Sequence, residues 1–364
     1  MVRFLALDNL PPFPFTMTIR IRLYLLLVAS FLFHGAFAQQ GDAKYVPRCI
    51  GFWNLENMYD TIDGPNDDAE YLPTSAKQWN TERYERKLQH EARVIGEMGT
   101  DIHPDGLVCM GLAEVENRGV VQDLINTPPL DKRHYQIIHH DSPDRRGIDV
   151  AFIYDPKYFT VLHERIYPLH DPTDSLFRTR DVLLVTGLMD GDTLNILVNH
   201  WPSRFGGEKR SLPNRIRAAE LGRHIIDSLM ARNPEANILY MGDLNDDPVN
   251  PAVKKYLNTT GDKDLAMGNK LFNPMSDLYK KGIGTLAWRD SWNLFDQIIL
   301  SPALVTGAEG GYHYYGVRVY NQPYLRQEGG NYAGYPFRTY VGDTYQGGYS
   351  DHFPVYVILV KPEK

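Results

Sequence analysis

Cysteine is scarce in this 364-residue chain: Cys49 and Cys109 are the only two. Two thiols cannot build a disulfide framework or complete a thiolate metal site by themselves. Each lies in a short apolar run, Cys49-Ile50-Gly51-Phe52 and Leu107-Val108-Cys109-Met110, so buried, unpaired thiols are expected. A single bridge is the alternative in an oxidising compartment. A basic excess is lacking too, since 38 Lys and Arg face 45 Asp and Glu for a net charge of −7. That excludes a surface-wide field for nonspecific nucleic-acid binding and leaves only a local basic groove. No repeat, heptad run, charge block or Ser/Gly linker interrupts the sequence, which excludes solenoids, coiled coils and tethered modules. What is present, 43% hydrophobic and 23% charged residues, is globular composition.

Apolar runs long enough to span a bilayer are also missing. The stretch from Leu23 to Phe33 falls short of the roughly 20 residues a transmembrane helix needs. It follows Arg20 and Arg22 and precedes Gly35-Ala36-Phe37-Ala38, an A-x-A-like cleavage site. Residues 1–38 are therefore expected to be a secretory signal, with Met17 as an alternative start and a retained anchor as the competing reading. The remainder, 39–364, is expected to form one exported domain, in the periplasm or the medium.

Within it, short apolar or β-branched runs alternate with helix-period segments, an α/β layout. Strands are predicted at 48–54, 106–113, 134–140, 149–154, 181–188, 193–199, 236–242, 295–300 and 354–360. A helix is predicted over 78–98, where Tyr84, Leu88, Glu91 or Ala92, Ile95 and Met98 share a face. Another is predicted over 213–231, with Pro213 in its first turn. Residues 307–349 hold many glycines and ten of the 23 tyrosines, and are too irregular for either element.

Polar residues gather at the ends of the apolar strands, where open α/β folds place ligand sites. They are Asn54 and Glu56, Glu114, His200, the run Gly242-Asp243-Leu244-Asn245-Asp246-Asp247-Pro248, Asp296, and Ser350-Asp351-His352. Carboxylates and amides without thiolate make a hard, oxygen-rich site, suited to Mg²⁺, Mn²⁺ or Ca²⁺ more than Zn²⁺. Glu114 is the strongest single metal candidate. A hard cation with histidines and amides is what phosphoryl transfer requires. Asp296 is positioned to accept from a ring nitrogen of His352 and fix its tautomer. Asp243 and Asn245, two apart, share a face if the segment is extended. Each motif alone has a structural reading as a turn, a cap, a solvated acid or a packed histidine; their joint, ordered occurrence carries the chemical one.

The series Asn54, Glu114, His200, Asp243-Leu244-Asn245, Asp296 and Ser350-Asp351-His352 resembles the endonuclease/exonuclease/phosphatase superfamily over about residues 48–360. Asp144-Arg145-Arg146-Gly147-Ile148-Asp149-Val150-Ala151 and Asn199-His200-Trp201-Pro202-Ser203-Arg204 look most like its secreted bacterial nuclease-like branch. The resemblance implies a deoxyribonuclease I-like, four-layer α/β sandwich of two mixed sheets flanked by helices. It also implies Glu114 as principal Mg²⁺ ligand (Mn²⁺ or Ca²⁺ as alternatives), with Asn54 and Asp351 nearby. Asp243 would orient or deprotonate the water, Asn245 hold the phosphate, and His200 contact or protonate it. His352, held by Asp296, would be base or electrostatic stabiliser, with the choice of base between Asp243 and His352 open. Arg146 and Arg204 are candidate phosphate clamps. The 307–349 insertion exceeds what the superfamily needs there, and its aromatics are candidates for stacking on bases, lining a sugar or lipid site, or forming a satellite core.

The function expected is a secreted, divalent-metal-dependent phosphodiesterase, an endonuclease acting on DNA or RNA. The alternatives are a phospholipid headgroup phosphodiesterase, a phosphomonoesterase and a noncatalytic binding module. Flanking basic residues would favour nucleic acid, and an exposed apolar hairpin would favour lipid. No obligate protein partner is implied, and a monomer is expected.

Overall fold

β1 (Tyr45–Met58) is buried along nearly its whole length, as a strand must be when both of its faces are covered. It pairs in parallel with β2 (Leu107–Val115) and antiparallel with β17 (Val355–Pro362). With β3 (Gln136–His139), β4 (Asp149–Tyr154) and β14 (His313–Val319), these make a six-stranded sheet ordered β14-β17-β1-β2-β4-β3. A second, seven-stranded sheet is built from β5 (Phe159–Tyr167), β6 (Val182–Met189), β7 (Asp192–His200), β8 (Asn237–Asp243), β9 (Thr259–Thr260), β10 (Leu271–Phe272) and β13 (Asp296–Leu300). Its order is β5-β6-β7-β8-β13-β10-β9. Both sheets are mixed, with β1 parallel to β2 and β7 parallel to β8. The computed structural model describes residues 44–307 and 310–363, so the expected signal at 1–38 lies outside the described residues. Tyr45–Pro362 form one compact unit.

The sheets stack face to face through Phe52, Phe152, Val198, Met241, Ile298 and Val357. Each such burial is worth about 1.5–3 kcal/mol relative to exposure. Gly111 sets the closest approach: a Cβ there would stand 2.9 Å from Met241 Sδ and 3.0 Å from Val198 Cγ1. On the outer face of the first sheet lie α1 (Thr81–Glu97), capped by Asn80, and α2 (Arg118–Asn126), capped by Asn117. α3 (Glu208–Arg232) covers the second sheet, packing Ala218, Ala219, Ile225 and Ile226 on Ile238 and Tyr240. The result is the expected four-layer α/β sandwich of deoxyribonuclease I-like type. Cys49 and Cys109 are buried and free, with burial pushing the Cys49 thiol up to about 12.

Several elements differ from the sequence expectation. α3 starts at Glu208, so Pro213 lies inside it; the start is set by Gly207, whose φ of 108° is a glycine conformation. β5 was not foreseen because its residues are mostly exposed and its apolar ones do not alternate, as suits an edge strand. In the Tyr-rich segment β14 forms an edge strand, hidden from pattern reading by a register shift between Tyr314 and Gly316. β15 (Tyr340–Val341) and β16 (Thr344–Tyr345) make a small hairpin. Of the roles weighed for this segment, core packing describes Leu325, Tyr340 and Tyr349, with Tyr320, Tyr324, Phe337 and Tyr345 against them, all on the α1 side.

Candidate active site

Strand register brings the polar ends together. β8 and β13 align Asp243 opposite Asp296, β7 and β8 align His200 beside Asp243, and β1 and β2 align Asn54 beside Ala113, the residue before Glu114. Asp351 and His352 precede β17 at the same end. His352 Nδ1 and Asp296 Oδ2 are 2.7 Å apart, both buried, so the nitrogen left free is Nε2. It lies 3.9 Å from Asp243 Oδ2 and 3.8 Å from Asp351 Oδ1. Asn54 Nδ2 donates to Asp243 Oδ2 at 3.0 Å. His200 Nε2 stands 3.7 Å from that oxygen and 3.8 Å from Glu114 Oε1.

Electrostatics follow from burial and neighbours. Burial opposes a charged His352, but the carboxylates of Asp296, Asp351 and Asp243 outweigh it and hold the ring well above its ordinary range. His200 is held well below that range by burial, then by the charges of Arg180, Arg146 and His352, so its contacts are those of a neutral imidazole. Burial lifts Asp243 to about 6 against the pull of His352. It lifts Glu56 to about 7, with Asp351 adding to the effect.

The remaining candidates are less central. Asn245 has φ 48°, so the segment from Asp243 is not extended as the two-residue spacing assumed. Its backbone N–H donates to Asp243 Oδ1 at 2.9 Å and its Nδ2 to the Trp201 carbonyl at 3.0 Å. Arg146 keeps a half-exposed side chain whose charge reaches Glu114. Arg204 is turned to other partners: Nε donates to the Asn245 carbonyl, and Nη2 lies 3.3 Å from Asp246 Oδ1 and 3.5 Å from Asp247 Oδ2.

Sequence reading missed Arg338 and Thr339 of the Tyr-rich segment. Arg338 Nη2 donates to Asp351 Oδ2, and its Nε is 3.6 Å from Glu56 Oε1. The Thr339 N–H donates to Glu56 Oε2 at 2.6 Å. No spacing signal marks them, because an irregular loop delivers them. Glu56 (φ 52°), Glu114 (φ 61°) and Asn245 all hold left-handed backbone, a conformation that costs about 1–3 kcal/mol and collects at functional sites.

Asp243, Asp296 and His352 offer ligand atoms within 4.8 Å of one another and could hold a metal ion. Asp296 Oδ1 is buried without a partner, and Glu114, Asn54 and Asp351 add oxygen donors at the same end. The donor set contains no thiolate, and burial keeps the acids Asp243 and Glu56 above the ordinary carboxylate range despite their positive neighbours. That chemistry fits a hard divalent cation.

A sandwich of two mixed sheets with a buried Asp-His couple among clustered carboxylates at its strand ends has the groups that phosphoester chemistry requires. The sequence matches the Endonuclease/Exonuclease/phosphatase family over residues 49–361, and the chain belongs to that family. No curated protein matches it. Among solved structures, the fold is similar to an endonuclease/exonuclease/phosphatase family protein from Bacteroides thetaiotaomicron (TM-score 0.52, 16% identity, covering 88% of this chain and 100% of that one). It is similar to a mannosyl-6-phosphatase from Bacteroides thetaiotaomicron (TM-score 0.51, 16% identity, 86% and 99% covered). It is also similar to D. rerio TDP2 complexed with single strand DNA product (TM-score 0.50, 15% identity, 86% and 98% covered).

Proposed function

We propose that the chain is an exported, divalent-metal-dependent phosphodiesterase of the secreted bacterial nuclease-like branch, cutting DNA or RNA internally by attack of water. The observation that carries the reading is the 2.7 Å contact between Asp296 and His352 Nδ1, which turns Nε2 toward Asp243 Oδ2 at 3.9 Å. Asp243 Oδ2 holds the attacking water and takes its proton, while His352, held charged by its carboxylates, stabilises the negative charge that develops through its Nε2–H. The neutral His200 hydrogen-bonds a phosphate oxygen, and the second amide hydrogen of Asn245 Nδ2 is left for another. Arg146, exposed beside Glu114, supports phosphate binding better than Arg204, which its acidic partners occupy. Glu114, Asn54 and Asp351 would hold Mg²⁺, or Mn²⁺ or Ca²⁺ in its place; the cation when bound neutralises charge on the non-bridging oxygens. The single strand DNA product bound to TDP2 supports nucleic acid as substrate.

A second reading has its own observation. The hairpin of β11 (Leu286–Trp288) and β12 (Ser291–Asn293) adjoins His352, since Trp292 stacks on Phe353 at 6.1 Å and the Phe353 N–H donates to the Thr285 carbonyl. Trp288 on it is 63% exposed, which supports a phospholipid headgroup as substrate.

The deciding experiment is nicking of supercoiled plasmid by the purified chain with Mg²⁺, beside EDTA and His352→Ala, with choline-phospholipid vesicles assayed in parallel. Nicking lost in EDTA and reduced at least about a hundredfold in His352→Ala is expected. Headgroup release without nicking would move the assignment to lipid, and full activity in EDTA would remove the metal. Export is checked by sequencing the mature N-terminus, expected near Gln39; an intact Met1 or Met17 would contradict it.

A further inference from the structure

A second cluster of metal-ligating side chains lies outside the machinery described above. His139 at the end of β3, Asp141 in the following loop and Asp149 at the start of β4 offer ligand atoms within 4.8 Å of one another. We propose that His139, Asp141 and Asp149 form a second divalent-cation site, for Zn²⁺ or Mn²⁺, that ties down the loop carrying Arg146.

Two buried groups without partners point to the ion. The His139 side chain is 2% exposed, and its Nε2 lies 3.2 Å from Asp149 Oδ2, yet Nε2 makes no hydrogen bond. A ring nitrogen so close to a carboxylate oxygen without hydrogen-bond alignment has its in-plane direction aimed elsewhere. Two tetrahedral ligands with bonds of about 2.0–2.2 Å stand roughly 3.3 Å apart and both point at the metal rather than at each other. The second group is Asp181, just before β6, whose Oδ1 is buried with no partner. Its carboxyl is raised by burial and then by the charge of Asp149. Asp149 Oδ1 is already committed, accepting from the Ser142 N–H at 2.9 Å and from Ser142 Oγ, so Oδ2 is the ligand atom. Asp141, 89% exposed on its loop, has Oδ1 3.8 Å from His139 Nδ1 and can swing to the site from the solvent side. One imidazole with carboxylates is a borderline donor set, suited to Zn²⁺ or Mn²⁺.

The consequence is positional. The loop between His139 and Asp149 also carries Asp144, which accepts from Arg180 Nη1 at 2.9 Å; Arg180 Nη2 in turn donates to the carbonyl of Trp201, next to His200. An ion holding both ends of the loop would fix Arg146 relative to Glu114.

The test uses the full chain, stripped with EDTA, exchanged into saturating Mg²⁺ and titrated with Zn²⁺ or Mn²⁺ alone. Bound metal is counted by mass spectrometry and loop cleavage is followed by limited proteolysis. The native chain is expected to retain one more equivalent than His139→Gln or Asp141→Asn, with affinity lowered in each by at least about tenfold. The metal should protect the loop only in the native chain. Asp141→Asn changes an exposed side chain, so it reads the site even if His139→Gln fails to fold. Equal metal content in native and Asp141→Asn chains would overturn the proposal. None of these readouts depends on phosphodiesterase turnover, so the site and the proposed reaction fail independently.

Discussion

In the proposed reaction Asp296 would act on substrate only through His352. Its carboxylate is fully buried and accepts from Nδ1, which leaves Nε2 as the nitrogen that meets the reacting atoms. Asp296→Asn keeps the volume but can bond Nδ1 either by its oxygen or by its amide, so the tautomer is no longer imposed. By analogy with Asp-His couples in acyl transfer, kcat should fall by roughly a hundredfold to ten-thousandfold. KM should change little, because Asp296 touches no substrate. Steady-state kinetics of the variant decide the point: a near-native kcat would remove the couple from the reaction.

At the scale of elements, α1 carries a charge pair into the core. Lys87 and Glu91 are both buried, with Nζ 3.2 Å from Oε1, and Lys87 also donates to Thr339 Oγ1 and the Tyr349 carbonyl. Burial outweighs Lys87 and lifts Glu91 to about 7. The folded chain therefore keeps this proton to higher pH than the unfolded chain, and stability is lost as pH rises from about 4.5 through about 7. The window is worth up to about 3 kcal/mol at 1.36 kcal/mol per unit. Melting temperatures of metal-free protein from pH 5 to pH 8 should fall with that sign, and Glu91→Gln should make the slope shallower, with Glu56 and Asp243 carrying the remainder; an unchanged slope in the variant would refute the assignment. The same scale explains what pattern reading could see. The apolar runs stopping at Asn54, Glu114, His200 and Asp243 were legible because a polar residue after such a run marks where a covered strand nears its exit from the core, although β1 continues to Met58 and β2 to Val115. β5 was illegible because one exposed edge needs no apolar pattern. Asn245 was misjudged because periodicity assumes extended backbone, and its φ is positive. Arg338 reaches Asp351 through a loop whose path no local rule fixes.

For the whole molecule, charge distribution constrains how a polyanion is held. The net charge is −7, and Arg180, Arg204 and Arg338 are bound to carboxylates. The cavity of about 540 Å³ beside the Arg146 loop is lined by Asp60, Asp67, Glu116, Asp141, Asp144 and Asp149. A nucleic-acid chain crossing the site would meet Arg145, and Arg146 with Asp144 Oδ1 3.8 Å from its Nε. With one or two phosphates neutralised, log K against log salt should slope by only about −1 to −2, compared with about −5 to −9 for proteins making six to ten phosphate contacts. The inactive His352→Ala chain allows binding to be measured without cleavage, and Arg146→Ala in that background should reduce the slope by about 1. A slope near −5 would require a basic groove that these residues do not form, and an unchanged slope in the double variant would take Arg146 out of phosphate binding. A substrate held so weakly by its backbone must be retained mainly by the cation and the groups around Asp243.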